Sequence, residues 1–284
     1  MCIDLHTHSV YSDGSSSPLE LVELSVKQGI TALALTDHDT MAGVEEIMQL
    51  GLEYNLTILT GVEISATYDK QSIHLLGYGI DPTDSTFTQW LAQLQDGREK
   101  RNRKILVSLQ ELGFEITDKD LQQVSGTGLA GRPHIANILL DKGIVRSFSE
   151  AFRSYLGKGK KAWHCRFCYS AIETISAIHR AGGIAVLAHP GQIDSSMKRQ
   201  PALIRELAMY GLDGIEIYYP SHTKKMKKKL FALAAENNLL VTGGSDYHGA
   251  TRPANMLAGS GGTFCPPVEL LAPIFEKIDQ YKQQ

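Results

Sequence analysis

The chain has 284 residues and a net charge of −3, with apolar and charged fractions that are ordinary for a globular protein. This charge excludes a protein that binds nucleic acid through its overall electrostatics. No run approaches the roughly 18 apolar residues of a membrane span, and no signal peptide is expected at the N-terminus. The four cysteines are too few for a disulfide framework. We therefore expect reduced thiols and a cytoplasmic protein, without membrane association or an obligate protein partner.

Short aliphatic runs alternate along the chain with segments of helical pattern. The predicted strands lie near residues 2–7, 31–36, 57–63, 72–78, 183–188, 213–218 and 239–243. The predicted helices lie near residues 17–28, 40–54, 167–181, 199–210, 221–236 and 268–281. This alternation implies an α/β fold with a mainly parallel sheet. About seven strands with helices outside them suggest a closed barrel, although an open doubly wound sheet would give a similar pattern.

The region from about residue 83 to residue 165 interrupts the alternation. It is rich in Lys, Arg and Gln and lacks strand-like runs, while residues 98–112 and 133–142 have the periodicity of amphipathic helices. We predict a helical subdomain, residues 83–165, inserted into a barrel domain formed by residues 1–82 and 166–284.

Histidines and carboxylates recur where the predicted strands end. His6 and His8 are two residues apart and therefore share one face of the first strand. The full set of candidate ligands is His6, His8, Asp13, His38, Glu63, His74, His189, Asp246 and His248. The carboxyl ends of parallel strands converge on one face, so these side chains should meet, although the strand of His74 may run the other way. Imidazoles with carboxylates suit Zn²⁺, Mn²⁺ or Fe²⁺, and the set is large enough for two or three ions.

Three aspartates beside these candidates are predicted to play other roles. Asp4 and Asp39 suit orienting or capping duty better than direct ligation. For Asp37, ligation and support both remain open.

The candidate ligands, in their order along the chain, resemble the motifs of the PHP family, which is named for polymerase and histidinol phosphatase domains. Its four motifs are matched by His6-Thr7-His8, Thr36-Asp37-His38, Ala188-His189-Pro190 and Ser245-Asp246-Tyr247-His248. The resemblance covers nearly the whole chain. It implies a distorted (β/α)₇ barrel that holds two to three divalent metal ions, which would be Mn²⁺, Fe²⁺ or Zn²⁺.

The resemblance also implies how the ligands are shared among the ions. One metal would be held by His6, His8, Glu63 and Asp246. Glu63 would bridge to a second metal held by His74 and His189. The third would be held by Asp13, His38 and His248, with Asp13 in a place that is histidine in some relatives.

Within the family, the chain is most similar to a branch with a helical insertion that carries Gly131-Arg132-Pro133-His134. That branch includes 3′,5′-nucleoside bisphosphate phosphatases and an enzyme that removes nucleotides from the 5′ ends of short RNAs. The motif could simply begin a helix, with Pro133 at its first position. The alternative is that Arg132 and His134 bind a substrate phosphate, which suits the arginine fork and the positive potential of a helix N-terminus.

Weaker signals surround these motifs. Lys158 and Lys160 lie in a basic, glycine-punctuated segment that is either a second phosphate clamp or a solvated loop. His222 is a candidate substrate contact at the mouth of the site. The five lysines within residues 224–229 are either a funnel for an anionic substrate or a solvated helix face. The CxxC at residues 165–168 lacks a partner motif and indicates incidental thiols.

The resemblance implies a metal-dependent phosphohydrolase that acts on a nucleoside 3′,5′-bisphosphate or on a short 5′-phosphorylated RNA. Metal-activated water would attack phosphorus directly, without a phosphoenzyme. Asp13, His189 and His248 are the candidate catalytic residues, although a histidine that binds metal cannot also act freely as a base. The alternatives are a phosphatase of another metabolite, such as histidinol phosphate, and a non-catalytic module that binds metal or RNA.

Overall fold

The computed structural model describes residues 1–260 and 264–283. The strands in these ranges are β1 (Cys2–Thr7), β2 (Ile30–Leu35), β3 (Thr57–Tyr68), β4 (Gln71–Tyr78), β5 (Tyr169–Ser170), β6 (Ile184–Leu187), β7 (Gly214–Tyr218) and β8 (Leu240–Gly243). The α-helices are α1 (Pro18–Lys27), α2 (Val44–Glu53), α3 (Ser85–Glu111), α4 (Asp118–Ser125), α5 (Arg132–Asp141), α6 (Phe148–Ala151), α7 (Ala171–Arg180), α8 (Pro190–Ile193), α9 (Gln200–Met209), α10 (Lys224–Glu236) and α11 (Leu271–Lys282). Seven of these strands and the six longer barrel helices lie where the alternating pattern predicts them, whereas the short β5 and α8 were not predicted.

Seven strands follow one another in the order β1-β2-β3-β4-β6-β7-β8, and the two-residue β5 pairs with β3. The two ends of this path meet, because His8 N–H donates to Tyr247 O at 2.9 Å and Asp246 N–H donates to His6 O at 2.8 Å. The α/β fold is thus a seven-stranded barrel. Strand β4 runs antiparallel to both β3 and β6, which confirms the exception foreseen for the strand of His74.

Alternating side chains of the strands build the apolar interior. Ile3 and Leu5 of β1 pack with Leu76 and Tyr78 of β4 in a buried cluster that α11 covers with Ile274 and other residues. The Tyr78 hydroxyl donates to Leu5 O at 2.6 Å, so the buried ring is also anchored to β1. This packing leaves the carboxyl ends of the strands free to carry polar side chains.

The region between β4 and β5 is helical and has a core of its own. Ile105 and Leu109 of α3 pack there with Ile135 and Leu139 of α5. The first half of α3 instead packs on the barrel, through residues such as Leu91. Helix α3 therefore begins earlier than the pattern at 98–112 predicts. The domain limits at residues 82/83 and 165/166 stay a prediction.

The oxidation state of the cysteines differs from the sequence-based expectation. Cys2 and Cys265 form a disulfide with their Cα atoms 4.9 Å apart, while Cys165 and Cys168 are free. The pair is brought together because Ile3 N–H donates to Pro266 O, which aligns the start of β1 with the segment before α11. The expectation of four reduced thiols is therefore wrong for this pair, which 263 positions separate in sequence. Among the helices described, none is both long and apolar enough to cross a bilayer.

Candidate metal centre

The nine candidate ligands meet at the carboxyl ends of the parallel strands. Their ligand atoms fall into overlapping groups, and within each group these atoms lie within 4.8 Å of one another. The groups are His6, His8, Glu63 and Asp246; His8, Asp13, His38 and His248; and His38, Glu63 and His74. His189 joins the last group through Glu63. The structure therefore brings together every residue that the motifs nominate, and it adds His8 to the neighbourhood of Asp13.

Glu63 is the centre of the arrangement. Its Oε1 lies 2.7 Å from Nδ1 of His74 and 2.9 Å from Nε2 of His189. Its Oε2 faces three other imidazoles at 2.8 to 3.5 Å, those of His6, His8 and His38. Burial alone would raise the pKa of Glu63, but the surrounding imidazoles hold that pKa well below its usual range. Glu63 thus presents an ionised carboxylate with one oxygen toward each side of the cluster.

The two aspartates complete the cluster through His6, His8 and His248. Asp246 Oδ1 lies 3.3 Å from Nε2 of His8 and 3.6 Å from Nε2 of His6. Asp13 Oδ1 lies 3.2 Å from Nε2 of His248. Both carboxylates are buried, so they face the imidazoles rather than solvent.

Divalent metal ions fit these residues. Buried atoms that make no hydrogen bond include ring nitrogens of His6, His8, His38 and His248 and Oε2 of Glu63. Buried polar atoms without partners are costly, and two or three bound cations would satisfy these atoms together. A set of imidazoles and carboxylates suits a borderline or hard divalent ion.

Neighbouring groups fix the candidate ligands in place. Asp4 accepts backbone N–H bonds from Ser245 at 2.8 Å and Ala258 at 2.9 Å, which is the supporting role predicted for it. Asp37 accepts from Ser9 and Ser12 and so holds the loop that carries Asp13. This arrangement favours support over ligation for Asp37.

Three positioning residues were missed from sequence. Glu216 of β7 accepts from His6 Nδ1–H at 2.9 Å and from the His189 backbone N–H at 2.7 Å. Tyr219 and Arg252 both donate to Asp246 Oδ2, at 2.8 and 3.0 Å. Glu216 could have been noticed as the one charged residue in the aliphatic run Gly214–Tyr218.

Three residues of the site have strained backbones. Asp39, His189 and Asp246 have φ values of 57°, 28° and 55°, in the left-handed region that non-glycine residues rarely adopt. Such strain persists where the surrounding structure determines it, and it clusters at functional sites. Here it turns the chain sharply at three strand ends, and it directs the side chains of His189 and Asp246 into the cluster.

The candidate phosphate-binding residues of the insertion differ in their burial. Arg132 and His134 lie in the first turn of α5, with His134 buried and accepting the Gly131 N–H on Nδ1 at 3.0 Å. Lys158 and Lys160 are exposed, and in the described part of the chain neither forms a hydrogen bond or ion pair with the candidate ligands.

His222 takes a different role from the one predicted. Its Nε2 accepts the Gly191 N–H at 3.0 Å, and its Nδ1–H donates to Ile217 O at 2.9 Å. Both ring nitrogens are therefore engaged inside the protein, and His222 fixes the turn that follows His189 instead of offering a nitrogen to substrate.

Comparison with known proteins agrees with this geometry. A family model for the PHP domain matches residues 4–162. A 5′-3′ exoribonuclease of Haemophilus influenzae is 37% identical, covering 86% of this chain and 89% of that protein. A 3′,5′-nucleoside bisphosphate phosphatase of Chromobacterium violaceum is 32% identical, covering 97% of this chain and 94% of that protein. A crystal structure from Bifidobacterium adolescentis, described as a metal-dependent phosphoesterase, superposes with a TM-score of 0.87 at 32% identity, covering 96% of this chain and 95% of that one.

The barrel and its cluster of imidazoles and carboxylates define a metal-dependent phosphoesterase, a hydrolytic enzyme. The chain belongs to the PHP domain family.

Proposed function

We propose that the enzyme removes a phosphate from nucleoside 3′,5′-bisphosphates and that short 5′-phosphorylated RNA is its second class of substrate. The observation that carries this proposal is the position of Glu63, whose two oxygens connect imidazoles on both sides of one buried cluster. The names of the two relatives, a bisphosphate phosphatase and a 5′-3′ exoribonuclease, support both substrate classes.

Two to three ions of Mn²⁺, Fe²⁺ or Zn²⁺ are the proposed cofactors. His6, His8, Glu63 and Asp246 would hold one ion. His74 and His189 would hold another with Glu63, and Asp13, His38 and His248 a third. When bound, such ions supply a water of lowered pKa and polarise phosphoryl oxygens. The catalytic role that we assign to Asp13, His189 and His248 is to hold and orient these ions.

Other side chains of the chain act on the substrate or on the ligands. Arg132 and His134, at the start of α5, are proposed to bind the phosphate that is not cleaved, with Lys158 and Lys160 as outer cationic contacts. Burial and the Asp246 carboxylate raise the pKa of Tyr219 well above its usual value, so its hydroxyl keeps its proton and continues to donate to Asp246.

The insertion, with its proposed phosphate-binding residues, also distinguishes the proposed function from the two alternative functions. A phosphatase of a monophosphate such as histidinol phosphate has no use for a second phosphate site beside the metals. A non-catalytic metal- or RNA-binding module would bind RNA without releasing phosphate or nucleotides.

The test is phosphate release from adenosine 3′,5′-bisphosphate with added Mn²⁺, for the wild type, Asp13→Ala and Arg132→Ala. We expect the wild type to form AMP, Asp13→Ala to be inactive, and Arg132→Ala to be weakened mainly in KM. A wild type that hydrolyses a simple phosphomonoester but not the bisphosphate would refute the substrate assignment and leave the chemistry intact.

A further inference from the structure

Five lysines lie in the first two turns of α10, the helix that follows β7. They are Lys224, Lys225, Lys227, Lys228 and Lys229. Four of them are exposed, and Lys227 is half-buried. Within the described residues none of the five forms an ion pair with a carboxylate, and the acidic residue of α10, at position 236, pairs instead with an arginine of α9. The start of α10 therefore carries five positive charges that no described carboxylate compensates.

This charge pattern is unfavourable for the helix itself. Lys224 and Lys228 are four residues apart, and a second such pair follows one position later, so like charges repel along the helix surface. Positive charge at a helix N-terminus also opposes the helix macrodipole. The helix start is nevertheless formed, because the Thr223 hydroxyl accepts the Met226 N–H at 3.2 Å. A bound polyanion would offset the repulsion and would itself be favoured by the positive end of the helix.

The start of α10 adjoins the metal centre. Met226 lies beside Gly191, because a Cβ on Gly191 would lie 3.7 Å from the Met226 sulfur. Gly191 comes two residues after the candidate ligand His189, and its N–H donates at 3.0 Å to His222, in the loop before α10. A barrel helix begins where the parallel strand before it ends, which is the face that carries the ligands. The lysines therefore lie at the edge of the metal centre.

The lysines and the insertion lie on different sides of Glu63. His189, on the side of α10, is 2.9 Å from Oε1 of Glu63. His38 is 2.8 Å from the other oxygen, Oε2, and the next residue, Asp39, accepts from Arg98 of the insertion at 2.6 Å. A substrate with its 5′ phosphate at the insertion and its scissile phosphate at the metal centre would therefore extend toward α10. A mononucleotide ends at the metal centre, whereas an RNA continues beyond it.

Aromatic side chains lie among the lysines. The Nζ of Lys227 is 5.4 Å from the centre of the Tyr218 ring. Tyr218 packs edge to face with Phe231, whose ring centre is 5.8 Å away, and Phe231 is 39% exposed. Positive charge combined with accessible aromatic rings is typical of surfaces that bind single-stranded nucleic acid. RNA is therefore the polyanion that this surface fits.

We propose that the start of α10 binds the sugar-phosphate backbone of RNA on the 3′ side of the scissile phosphate. This inference rests on the proposed function and deepens it, because it assigns a surface to the part of an RNA substrate that a nucleoside 3′,5′-bisphosphate lacks. Lysines contact backbone phosphates without reading the base sequence. Such a surface suits the removal of one nucleotide after another.

The test compares Lys224→Gln/Lys228→Gln with Lys27→Gln/Lys282→Gln, which removes the same charge elsewhere. Lys27 ends α1, just before β2, and Lys282 lies at the end of α11 beside Gly182, just before β6. Both control lysines therefore lie at the amino ends of strands, away from the metal centre. Removing a repelling pair from the start of α10 should leave the melting temperature unchanged or raise it, so the test variant should fold.

The first measurement is KM and kcat, with Mn²⁺, for a 5′-phosphorylated octaribonucleotide and for adenosine 3′,5′-bisphosphate. We expect Lys224→Gln/Lys228→Gln to raise KM for RNA about threefold to tenfold, and to reduce the slope of log KM against log salt by about 0.7 for each lysine that contacts a phosphate. KM for the bisphosphate should not change, and the control variant should match the wild type on both substrates. An equal rise for both substrates, or no rise for RNA, would overturn the proposal.

Binding without turnover separates this inference from the proposed function. In the Asp13→Ala background, which should be inactive, fluorescence anisotropy of a labelled octaribonucleotide reports binding directly. Weaker binding after Lys224→Gln/Lys228→Gln supports the surface even if the wild type hydrolyses no RNA, in which case the proposed RNA activity alone fails. Undiminished binding, or no binding by either protein, overturns the surface. Unchanged RNA binding with a loss of binding to phosphatidylglycerol vesicles also overturns it and would assign the lysines to a membrane.

Discussion

The ring of His6 and the carboxylate of Glu216 are joined beneath the metal centre, with Nδ1 2.9 Å from Oε1. The other oxygen of Glu216 accepts the His189 backbone N–H. One buried carboxylate on β7 therefore orients candidate ligands that come from two other parts of the barrel. Partners of this kind fix the ring orientation of a ligand and raise its basicity.

Glu216→Gln should weaken metal binding by about tenfold to a hundredfold. An amide keeps the shape of the side chain, but it has one acceptor oxygen for the two N–H donors of His6 and His189. The measurement is metal affinity by titration of the chelated protein, with Glu236→Gln as an exposed control. Wild-type affinity in Glu216→Gln would show that this hydrogen bond does not tune the site.

Removing metal should lower the melting temperature of the wild type, and adding Mn²⁺ should restore it. The reason is linkage: an ion that binds the folded state satisfies buried nitrogens that are otherwise without partners. Glu63→Gln should lose most of this response, because Glu63 contacts imidazoles on both sides of the cluster. A melting temperature insensitive to chelator and to Mn²⁺ would contradict the metal centre.

The sequence predicts the seven main strands well, and it nominates nine candidate ligands that the structure brings together. Most of these ligands lie at or just after the end of an aliphatic run, whereas Asp13 lies in the loop after β1 and His74 precedes Leu75. The sequence predicts their partners poorly. Arg98 and Arg101 of α3 are buried. They lie in a segment rich in Lys and Arg, for which the sequence alone suggests a solvated helix face. Their burial depends on α5 and on Asp39, which no local pattern brings near them.

Contacts between residues that are far apart in sequence limit the prediction of the site in the same way. Glu216 lies inside a strand, and its contacts with His6 and His189 exist because the barrel closes. The Cys2–Cys265 pair likewise depends on how the segment before α11 returns to β1. Such contacts follow from the closed sheet rather than from spacing in the sequence.

The Cys2–Cys265 disulfide should be detectable by alkylation. Before reduction, the denatured protein should react at Cys165 and Cys168, and after reduction at all four cysteines. Cys2→Ser should lower the free energy of unfolding by about 2–4 kcal/mol, because the bond closes a very long loop. Cys165→Ser is the control, since this thiol is exposed and free. Four reactive thiols before reduction would show that the pair is reduced, as the sequence suggested.

Gly128→Ala should disturb the contact between the insertion and the loop that carries Asp13. A Cβ at this position would lie 2.0 Å from the Val10 carbonyl oxygen, a backbone atom that cannot rotate away. The adjacent bond from Leu129 N–H to Tyr11 O should be displaced with it. We expect a loss of about 1–3 kcal/mol in stability and lower turnover of the bisphosphate. Ser125→Ala, at the end of α4, should behave as the wild type. Normal stability of Gly128→Ala would contradict this close approach.

His222 should make the stability of the fold depend on pH. Burial lowers the pKa of His222, an effect that its bond to Ile217 O only partly offsets, and its Nε2 must be unprotonated to accept the Gly191 N–H. The folded state therefore binds a proton less readily than the unfolded state, whose histidine has a pKa of about 6.5. Stability from this group is complete above that value and is lost as the pH falls toward the folded pKa, by at most about 1.4 kcal/mol per pH unit. His222→Gln can still accept from Gly191 and donate to Ile217 but does not titrate. Urea unfolding between pH 7.5 and pH 5 should show a steeper loss for the wild type than for His222→Gln, and parallel slopes would contradict the neutral, doubly bonded ring.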